Sequence, residues 1–372
     1  TSDRANQPFI KNDKVLLFNG EIYNYLNLKK NKVSDFNYFT TSDTEVLFNF
    51  LDKYDCENLS QLDGMFSFVF LKNNLLNLGT DIFSEKFLFY HTNSSGIYFS
   101  SEAKPLIDLF NLKRNKNFQL KKQFMSLGYV IPPDTAFDKL YITEQSSIMK
   151  IYKGNIILNQ KYYKFPKIEM YKGSPKQLDF NDIKLIKNKI IECVESRMHS
   201  DVNKGIFLSS GIDSSLVASI MKKELNLKPV ALTISYNKYK SYDESEAARK
   251  IAKYLNIDHI IEEDSESNFN YSVKEIFEGF NLLNDNISLI SIKNVSNIAK
   301  KYFKVAISGN GGDEMFYGYG KHIFFYKYQK YINNYFIKLF KSFFNGRYYN
   351  FQKLDIFSKL INYKNYNQIL LL

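Results

Sequence analysis

The residues best suited to chemistry in this chain form the octapeptide 208–215, LSSGIDSS. A short apolar run, 205–208, precedes it, and a helical pattern begins at Ser214. A strand that turns through small residues into a helix leaves backbone N–H groups free to bind an anion, and the helix dipole adds positive potential there. The pattern is not the Walker loop, which needs a Lys after its last Gly. It therefore predicts a phosphate-binding turn of another kind.

A second Gly-rich loop follows another apolar run about a hundred residues later. Residues 305–308, VAIS, have the pattern of a buried strand, and residues 309–314 are GNGGDE. Mg²⁺ prefers one or two carboxylates together with phosphate oxygens. Asp213 in the first loop and Asp313 in the second are the carboxylates that could supply them. The two loops together predict a site for a nucleotide and Mg²⁺.

These loops resemble those of a known family. The first resembles the pyrophosphate-binding loop S-G-G-x-D-S of ATP pyrophosphatases, with Ser210 in place of the first Gly. A Ser is tolerated there if its φ is negative. The second, at this spacing, resembles the S-G-x-G-x-D-E loop of the synthetase domain of glutamine-dependent asparagine synthetases. Residues 200–202 and 242–248, followed by His259, resemble further segments of that domain in the same order.

The first third of the chain resembles the glutaminase domain of the same family. Five segments match in order, namely 17–25, 41–46, 62–68, 101–106 and 128–135. The resemblance implies a partial glutamine amidotransferase domain at 1–163, a linker at 164–180, and an ATP-pyrophosphatase domain at 181–372 that is incomplete at its C-terminal end.

The resemblance also implies roles for residues of the synthetase domain. Asp213 and Asp313 would bind Mg²⁺, and Asn310 would stand at a catalytic position of the second loop. The ATP site would comprise Leu208, Ser209, Ser210, Gly211, Asp213, Ser214, Ser215, Ile234, Ser308 and Gly309.

In the glutaminase domain, the resemblance makes Asn19 and Gly20 the oxyanion hole. Asn19, Glu21 and Asp43 would bind glutamine. Each of these residues could instead serve in a turn or a cap. Asp43 in particular could cap the helix predicted from Thr44.

The activity implied by the resemblance has three steps. Glutamine is hydrolysed in the first domain. In the second, ATP activates the side-chain carboxylate of aspartate as an acyl-adenylate, and ammonia then attacks that adenylate. Glutamine, aspartate and ATP would be the small-molecule substrates, with ATP and Mg²⁺ as the cofactors and a homodimer as one option for assembly. Backbone donors and Mg²⁺ would stabilise charge on the departing pyrophosphate.

Two departures from the family pattern weaken the prediction of asparagine synthesis, and the first of them, Asn310, favours an alternative. Asn310 stands where the family has Glu or Asp, and a neutral amide cannot accept a proton. Residues 80–81, TD, stand where the family has RD. The alternative is a related amidotransferase that acts on another carboxylate, such as a sugar acid, a metabolite or a lactam precursor.

The ends of the chain differ from the family as well. The first residues resemble the interior of the glutaminase domain, so the family's N-terminal nucleophilic Cys is not among them. A Lys-bearing segment beyond the second loop is not found. The expectation is a fragment truncated at both ends, with a degenerate protein that lost its glutaminase as the alternative. Cys56 and Cys193 are both predicted to act as small hydrophobic residues.

Composition and charge restrict the class of protein. Hydrophobic residues make up 44% of the chain and charged residues 24%, as in ordinary globular enzymes. No apolar run approaches the ~18 residues of a membrane span, and two unpaired-looking cysteines favour a cytoplasmic location. Residues 321–372 carry nine Lys or Arg, one Asp and sixteen Phe or Tyr. Such a tail could bind nucleic acid, which leaves a tRNA-acting ATP pyrophosphatase as the weakest alternative. An amphipathic helical segment is favoured, without a nucleic-acid or membrane partner.

The hydrophobic pattern predicts two fold classes in succession. Short runs separated by turns before residue 160 predict stacked antiparallel sheets, which the resemblance equates with an incomplete N-terminal-nucleophile hydrolase fold of α+β type. From residue 181, helices and strands alternate, which predicts an α/β doubly wound parallel sheet that binds ligands at the C-terminal ends of its strands. Within it, Asp243 and Glu246 predict a capped helix at 243–255.

Overall fold

The computed structural model describes residues 6–166, 178–199, 202–236, 240, 243–264, 273, 275–276, 279, 282–286, 288–320, 322–323 and 327. Most of the basic, aromatic tail 321–372 lies outside these residues. The hydrophobic pattern also predicts a helix near 271–280, and most of that range lies outside them as well. No helix within the described ranges is both long and apolar enough to cross a membrane.

The N-terminal part, residues 6–166, is built from two antiparallel sheets. Its strands are β1 (Phe9–Lys11), β2 (Lys14–Ile22), β3 (Gly64–Lys72), β4 (Leu75–Thr80), β5 (Phe89–Asn93), β6 (Gly96–Ser100), β7 (Leu140–Ile142), β8 (Ser147–Tyr152) and β9 (Asn155–Lys161). The larger sheet has the order β1-β2-β3-β4-β8-β9, and the smaller has the order β6-β5-β7. Its helices are α1 (Tyr25–Asn31), α2 (Asp43–Lys53), α3 (Ala103–Phe110) and α4 (Phe118–Leu127).

Helix α2 packs against the larger sheet and forms the main core of this part. Every residue from Thr44 to Leu51 on α2 is buried. Phe48 of α2 contacts Phe9 of β1 and Phe70 of β3 in edge-to-face geometry, with ring centroids 5.2 and 5.5 Å apart. Such aromatic pairs add to the stabilisation that burial alone provides. The helix therefore holds β2 and β3 in place. Strand β2 carries the predicted glutaminase residues Asn19, Gly20 and Glu21, and β3 pairs with it.

The C-terminal part, residues 178–327, contains one parallel sheet. Its elements are α5 (Phe180–Ser196), β10 (Lys204–Phe207), α6 (Ile212–Ser219), β11 (Val230–Ser235), α7 (Ser245–Leu255), β12 (Asp258–Glu263), α8 (Ser288–Ala299), β13 (Val305–Ile307) and α9 (Gly312–Phe316). The strand order is β12-β11-β10-β13, and all three pairings are parallel. The order reverses at β10, so the crevice between the ends of β10 and β13 is where ligands bind in such sheets.

The predicted fold class is confirmed, from the antiparallel sheets of the first part to the parallel sheet of the second. The predicted cap of α7 is wrong. Glu244, not Asp243, occupies the N-cap position, and Asp243 instead accepts a hydrogen bond from the Ser245 N–H at 3.0 Å. The helix begins two residues later than expected because Asp243 and Glu244 belong to this short Asx turn and not to the helix.

Candidate active site

The first predicted loop connects β10 to α6 and is tied together by its own hydroxyl groups. The Ser209 N–H donates to Ser214 Oγ at 3.1 Å, and the Gly211 N–H donates to Ser209 Oγ at 3.1 Å. Ser215 Oγ donates to the Gly211 carbonyl at 2.7 Å. Because α6 begins at Ile212, the N–H groups of its first turn have no acceptor within the helix. The loop thus combines a rigid backbone with donors suited to a phosphate.

Ser210, which stands where the resembled loop has Gly, fits its position without strain. Its φ is not positive, so its side chain meets no conformational penalty. Its N–H donates to Glu244 Oε2 at 3.0 Å. Glu244, at the start of α7, was not singled out by the sequence analysis.

The second predicted loop, which connects β13 to α9, packs directly on the first. A Cβ atom on Gly309 would lie 2.6 Å from the Ser214 nitrogen, and one on Gly312 would lie 2.5 Å from the Asp213 carboxylate. Real Cβ atoms do not approach this closely. Glycine at these two positions therefore allows the loops to touch, which explains the Gly-rich composition of 309–312.

The two loops line one cavity of about 1270 Å³. The predicted residues that it brings together are Leu208, Ser209, Gly211, Asp213, Ser214, Ile234, Ser308, Gly309, Asn310 and Asp313. Ser210 and Ser215 belong to the same loop and helix but do not line the cavity. The described lining also contains Glu244 and Glu314, giving four carboxylates with no Lys or Arg among them.

This electrostatic environment fits a divalent cation. Asp213 and Asp313 offer the oxygen ligands that Mg²⁺ prefers. No group of three or more His, Cys, Asp or Glu side chains in the described part of the chain forms a ready-made metal site. Mg²⁺ keeps several waters and takes phosphate oxygens as ligands, so an incomplete protein ligand set is the usual arrangement for Mg²⁺ that arrives with a nucleotide.

The carbonyl of Leu208, where the first loop begins, is held by a chain of hydrogen bonds that the sequence analysis missed. Thr233 Oγ1 donates to the Leu208 carbonyl at 2.6 Å and lies 2.8 Å from His259 Nε2. Because the hydroxyl has one proton, which it gives to Leu208, His259 Nε2 must be the donor to Thr233. Burial, with a smaller contribution from the Arg249 charge, lowers the pKa of His259 and favours its neutral form.

In the N-terminal part, β2 carries three of the predicted residues. Asn19, Gly20 and Glu21 pair with Ser67, Phe66 and Met65 of β3. Asn19 is exposed and lines a cavity of about 310 Å³, whose lining does not include Glu21 or Asp43. Side chains at alternate positions of a strand share a face, so Asn19 and Glu21 lie on one side of β2.

The structure distinguishes the two readings of Asp43. Ser42 is the N-cap of α2, and its hydroxyl accepts from the Glu45 N–H at 3.4 Å. Asp43 instead accepts from the Ile22 N–H at 3.0 Å, immediately after Glu21 on β2. Burial raises the pKa of Asp43, although hydrogen bonds to backbone N–H groups oppose this shift. The reading of Asp43 as a helix cap is therefore wrong, and its carboxylate lies at the end of β2.

Thr80 and Asp81, which depart from the pattern R-D, have structural roles. Asp81 is 1% exposed. Its carboxylate accepts N–H bonds from Phe66, Phe83 and Glu85 at 2.9, 2.9 and 3.0 Å. Thr80 Oγ1 donates to the Glu144 carbonyl at 2.7 Å. The change to Thr therefore leaves the Asp81 network intact.

Within the described ranges, the two parts of the chain contact each other in two regions. Arg197, at the end of α5, forms a two-pronged ion pair with Asp63 and lies over the Tyr23 ring at 4.5 Å. At the second place the Asp285 N–H donates to the Gly128 carbonyl at 2.9 Å, next to a bridge between Tyr129 and Asn284. The next residue, Asn286, lines the large cavity. The second contact thus lies one residue from the wall of the candidate active site.

The two cysteines differ. Cys56 is buried in the main core, and burial raises the pKa of its thiol to about 12. Cys193 is exposed, so its prediction as a hydrophobic residue of the helix is wrong. Helix α5 covers the parallel sheet mainly with Val194 and the half-buried Ile190 and Ile191, which leaves the position of Cys193 at the surface.

Comparison with known protein families gives a separate match for each half of the chain. Residues 1–163 match the model of the glutamine amidotransferase domain, and residues 185–355 match that of asparagine synthase. The chain is 32% identical to the glutamine-hydrolysing asparagine synthetase 1 of Bacillus subtilis over 327 residues, which cover 85% of this chain and 50% of that protein. It is 30% identical to a putative asparagine synthetase of Methanocaldococcus jannaschii, covering 84% of this chain and 60% of that protein. It is also 26% identical to the amidase chyE of Penicillium rubens, covering 85% and 49%. The chain thus spans about half the length of the relatives that it matches.

Proposed function

Because the chain belongs to the family of glutamine-hydrolysing asparagine synthetases, we propose that the protein forms asparagine by ATP-dependent amidation of the aspartate side chain. ATP and Mg²⁺ bind in the cavity between β10 and β13. Glutamine supplies the ammonia through the N-terminal part, where Asn19 and Gly20 form the oxyanion hole and Asn19, Glu21 and Asp43 bind glutamine.

The observation that carries this proposal is the contact between the two loops. Gly309 and Gly312 bring the second loop against Asp213 and Ser214 of the first, at the point where the strand order reverses. The first loop, the two aspartates and apolar side chains thus line one cavity. This combination supports the binding of a nucleotide that is cleaved between its α- and β-phosphates, because it offers backbone donors for phosphate and oxygen ligands for Mg²⁺.

The reaction then proceeds in two displacements. An oxygen of the acceptor carboxylate attacks the α-phosphorus, and the bond to the bridging oxygen of the β-phosphate breaks, which releases pyrophosphate toward Ser209, Gly211, Ser214 and Ser215. Ammonia then attacks the carbonyl carbon of the acyl-adenylate, AMP leaves, and the nitrogen loses a proton. Mg²⁺ neutralises charge on the phosphates when it is bound. Leu208, Ile234, Ser308 and Gly309 hold the adenosine.

Pyrophosphate exchange tests the proposal. With ATP, labelled pyrophosphate, Mg²⁺ and aspartate, we expect label to enter ATP. We expect Asp213→Asn to lower the exchange rate at least about tenfold, because a carboxylate ligand for Mg²⁺ is lost. Asp258→Asn, on the exposed start of β12, is the matched control and should leave the rate unchanged. Absence of exchange with every carboxylate tested would refute the proposed chemistry.

A second candidate function has one observation in its favour. Asn310 lines the cavity, and its amide cannot accept the proton that the attacking ammonia must lose. An enzyme that amidates another carboxylate remains the alternative, and exchange that depends on an acceptor other than aspartate would favour it. The relative from Penicillium rubens is named an amidase rather than an asparagine synthetase.

A further inference from the structure

Glu244 places a carboxylate on the predicted polyphosphate loop. Its Oε2 atom accepts from the Ser210 N–H at 3.0 Å, although the two residues lie 34 positions apart. Glu244 occupies the N-cap position of α7, where no side chain caps the helix. It lines the same cavity as Asp213 and Asp313. The side chain is thus directed toward the loop and not toward its own helix.

The bond to Glu244 occupies one of the backbone donors of the loop, the Ser210 N–H. The N–H groups of Ser209 and Gly211 are already bonded to Ser214 Oγ and Ser209 Oγ. A phosphate that enters must therefore use the remaining donors of the turn and the first turn of α6. In this structure the Ser210 N–H is bonded to the Glu244 carboxylate, which carries a negative charge, as polyphosphate does.

Charge strengthens this competition. The described cavity lining contains four carboxylates, Asp213, Glu244, Asp313 and Glu314, and neither Lys nor Arg. A polyphosphate without a bound cation meets repulsion from all four, and this repulsion is strong where water is partly excluded. A divalent cation bound to the phosphates reduces the repulsion and offers the carboxylates a favourable partner.

We propose that Glu244 is the residue that makes the loop selective for polyphosphate bound to a cation. It occupies the Ser210 N–H until a cation-neutralised polyphosphate displaces it, and it repels polyphosphate that carries no cation. The inference rests on the proposed function, because it assumes that the loop binds the pyrophosphate portion of ATP. A purely structural role for Glu244, as a brace of the loop, predicts the opposite effect on affinity.

Binding of inorganic pyrophosphate tests this inference. Affinity is measured by calorimetry for the wild-type chain and for Glu244→Gln and Glu244→Ala, each with Mg²⁺ and with EDTA. Glu246→Gln is the matched control, because Glu246 is exposed on the same helix, pairs with Arg249 and does not line the cavity. Thermal unfolding of each variant verifies that it folds.

Removal of the Glu244 charge should raise the affinity for pyrophosphate in EDTA about tenfold and change the affinity in Mg²⁺ less than about threefold. Glu246→Gln should bind like the wild type in both conditions. Weaker binding of both Glu244 variants in EDTA and in Mg²⁺ would show a brace and overturn the inference, as would affinities equal to the wild type. A fall of the Mg²⁺ affinity alone would also overturn it, since it would make Glu244 part of the cation site. If no protein binds pyrophosphate even with Mg²⁺, the proposed function itself fails.

Discussion

Asp63 and Arg197 join the two halves of the molecule through two parallel hydrogen bonds of 2.8 and 3.1 Å. Asp63 also accepts, through its carbonyl oxygen, from the Tyr23 N–H at 2.7 Å. Tyr23 follows β2 directly, so the pair connects the strand of the predicted glutamine site with α5. The Tyr23 ring lies under the guanidinium, and burial raises the pKa of its hydroxyl to about 12. The Tyr23 hydroxyl therefore stays neutral beside the positively charged Arg197.

A double-mutant cycle measures this link. Because the side chains of Arg197 and Asp63 are 35% and 45% exposed, solvent screens the pair, and we expect a coupling free energy of about 0.5–1 kcal/mol between Arg197→Ala and Asp63→Ala in urea unfolding. The control is the Lys104–Asp108 pair within α3, which is more exposed and does not join the two parts. A coupling no larger than that of the control would contradict a role for the pair in joining them.

The packing of the loops predicts a large effect from one methyl group. Gly312→Ala places its Cβ against the Asp213 carboxylate, which must move, so we expect at least about tenfold weaker binding of ATP in the presence of Mg²⁺. The Cβ added by Gly320→Ala meets no atom of a described residue within 4 Å, so this variant should bind ATP as the wild type does. Equal affinities of the two variants, measured by calorimetry, would show that the loops do not need to touch.

His259 predicts a component of stability that depends on pH. Burial lowers its pKa below the usual value near 6.5. The unfolded chain therefore takes up a proton in a pH range where the folded chain does not. This component is fully present above pH 6.5 and decreases as the pH falls toward the folded-state pKa.

Urea unfolding at pH 7.5 and pH 5.5 checks this expectation. The decrease in the free energy of unfolding should be smaller for His259→Gln than for the wild type, whereas His199→Gln, at an exposed position after α5, should behave as the wild type. If the free energy of unfolding of His259→Gln falls as much between pH 7.5 and pH 5.5 as that of the wild type, the lowered pKa of His259 does not contribute to stability.

The two cysteines should react at very different rates. Cys193 is exposed, whereas Cys56 is buried and its high pKa keeps it as a thiol. A thiol reagent at neutral pH is expected to label one cysteine per native chain and both in denaturant. Peptide mapping identifies the first as Cys193, and Cys193→Ser removes the rapid reaction. Rapid labelling of two thiols in the native chain would contradict the packing around Cys56.

The sequence predicted where the two loops of the candidate active site lie and that a helix follows the first, because local rules determine these features. Small residues after an apolar run specify a tight turn before a helix, and the glycines of 309–312 mark a close approach of backbones. Glu244 and the pair of Asp63 with Arg197 could not be predicted in this way. They contact partners 34 and 134 positions away, and no periodic pattern encodes such contacts.

Other elements were missed for reasons of length and context. Strands β1 and β7 have three residues each, too few to show an alternation of apolar and polar side chains. Cys193 was predicted to act as a small hydrophobic residue, but α5 packs along only part of its surface and leaves Cys193 exposed. For Asp43, the choice between a cap and a site residue depended on whether Ser42 would cap the helix first.

The parallel pairing of Gly205 with Ala306 has a consequence for how such a site can change over time. It fixes the distance between the two loops regardless of the hundred residues that separate them along the chain. The segment between β12 and β13 contributes Asn286, Ser288 and Ser291 to the cavity lining. Insertions or exchanges there can reshape this part of the cavity without altering the spacing of the loops. Under the proposed function, this architecture would let a lineage acquire new acceptors while its nucleotide chemistry is inherited unchanged.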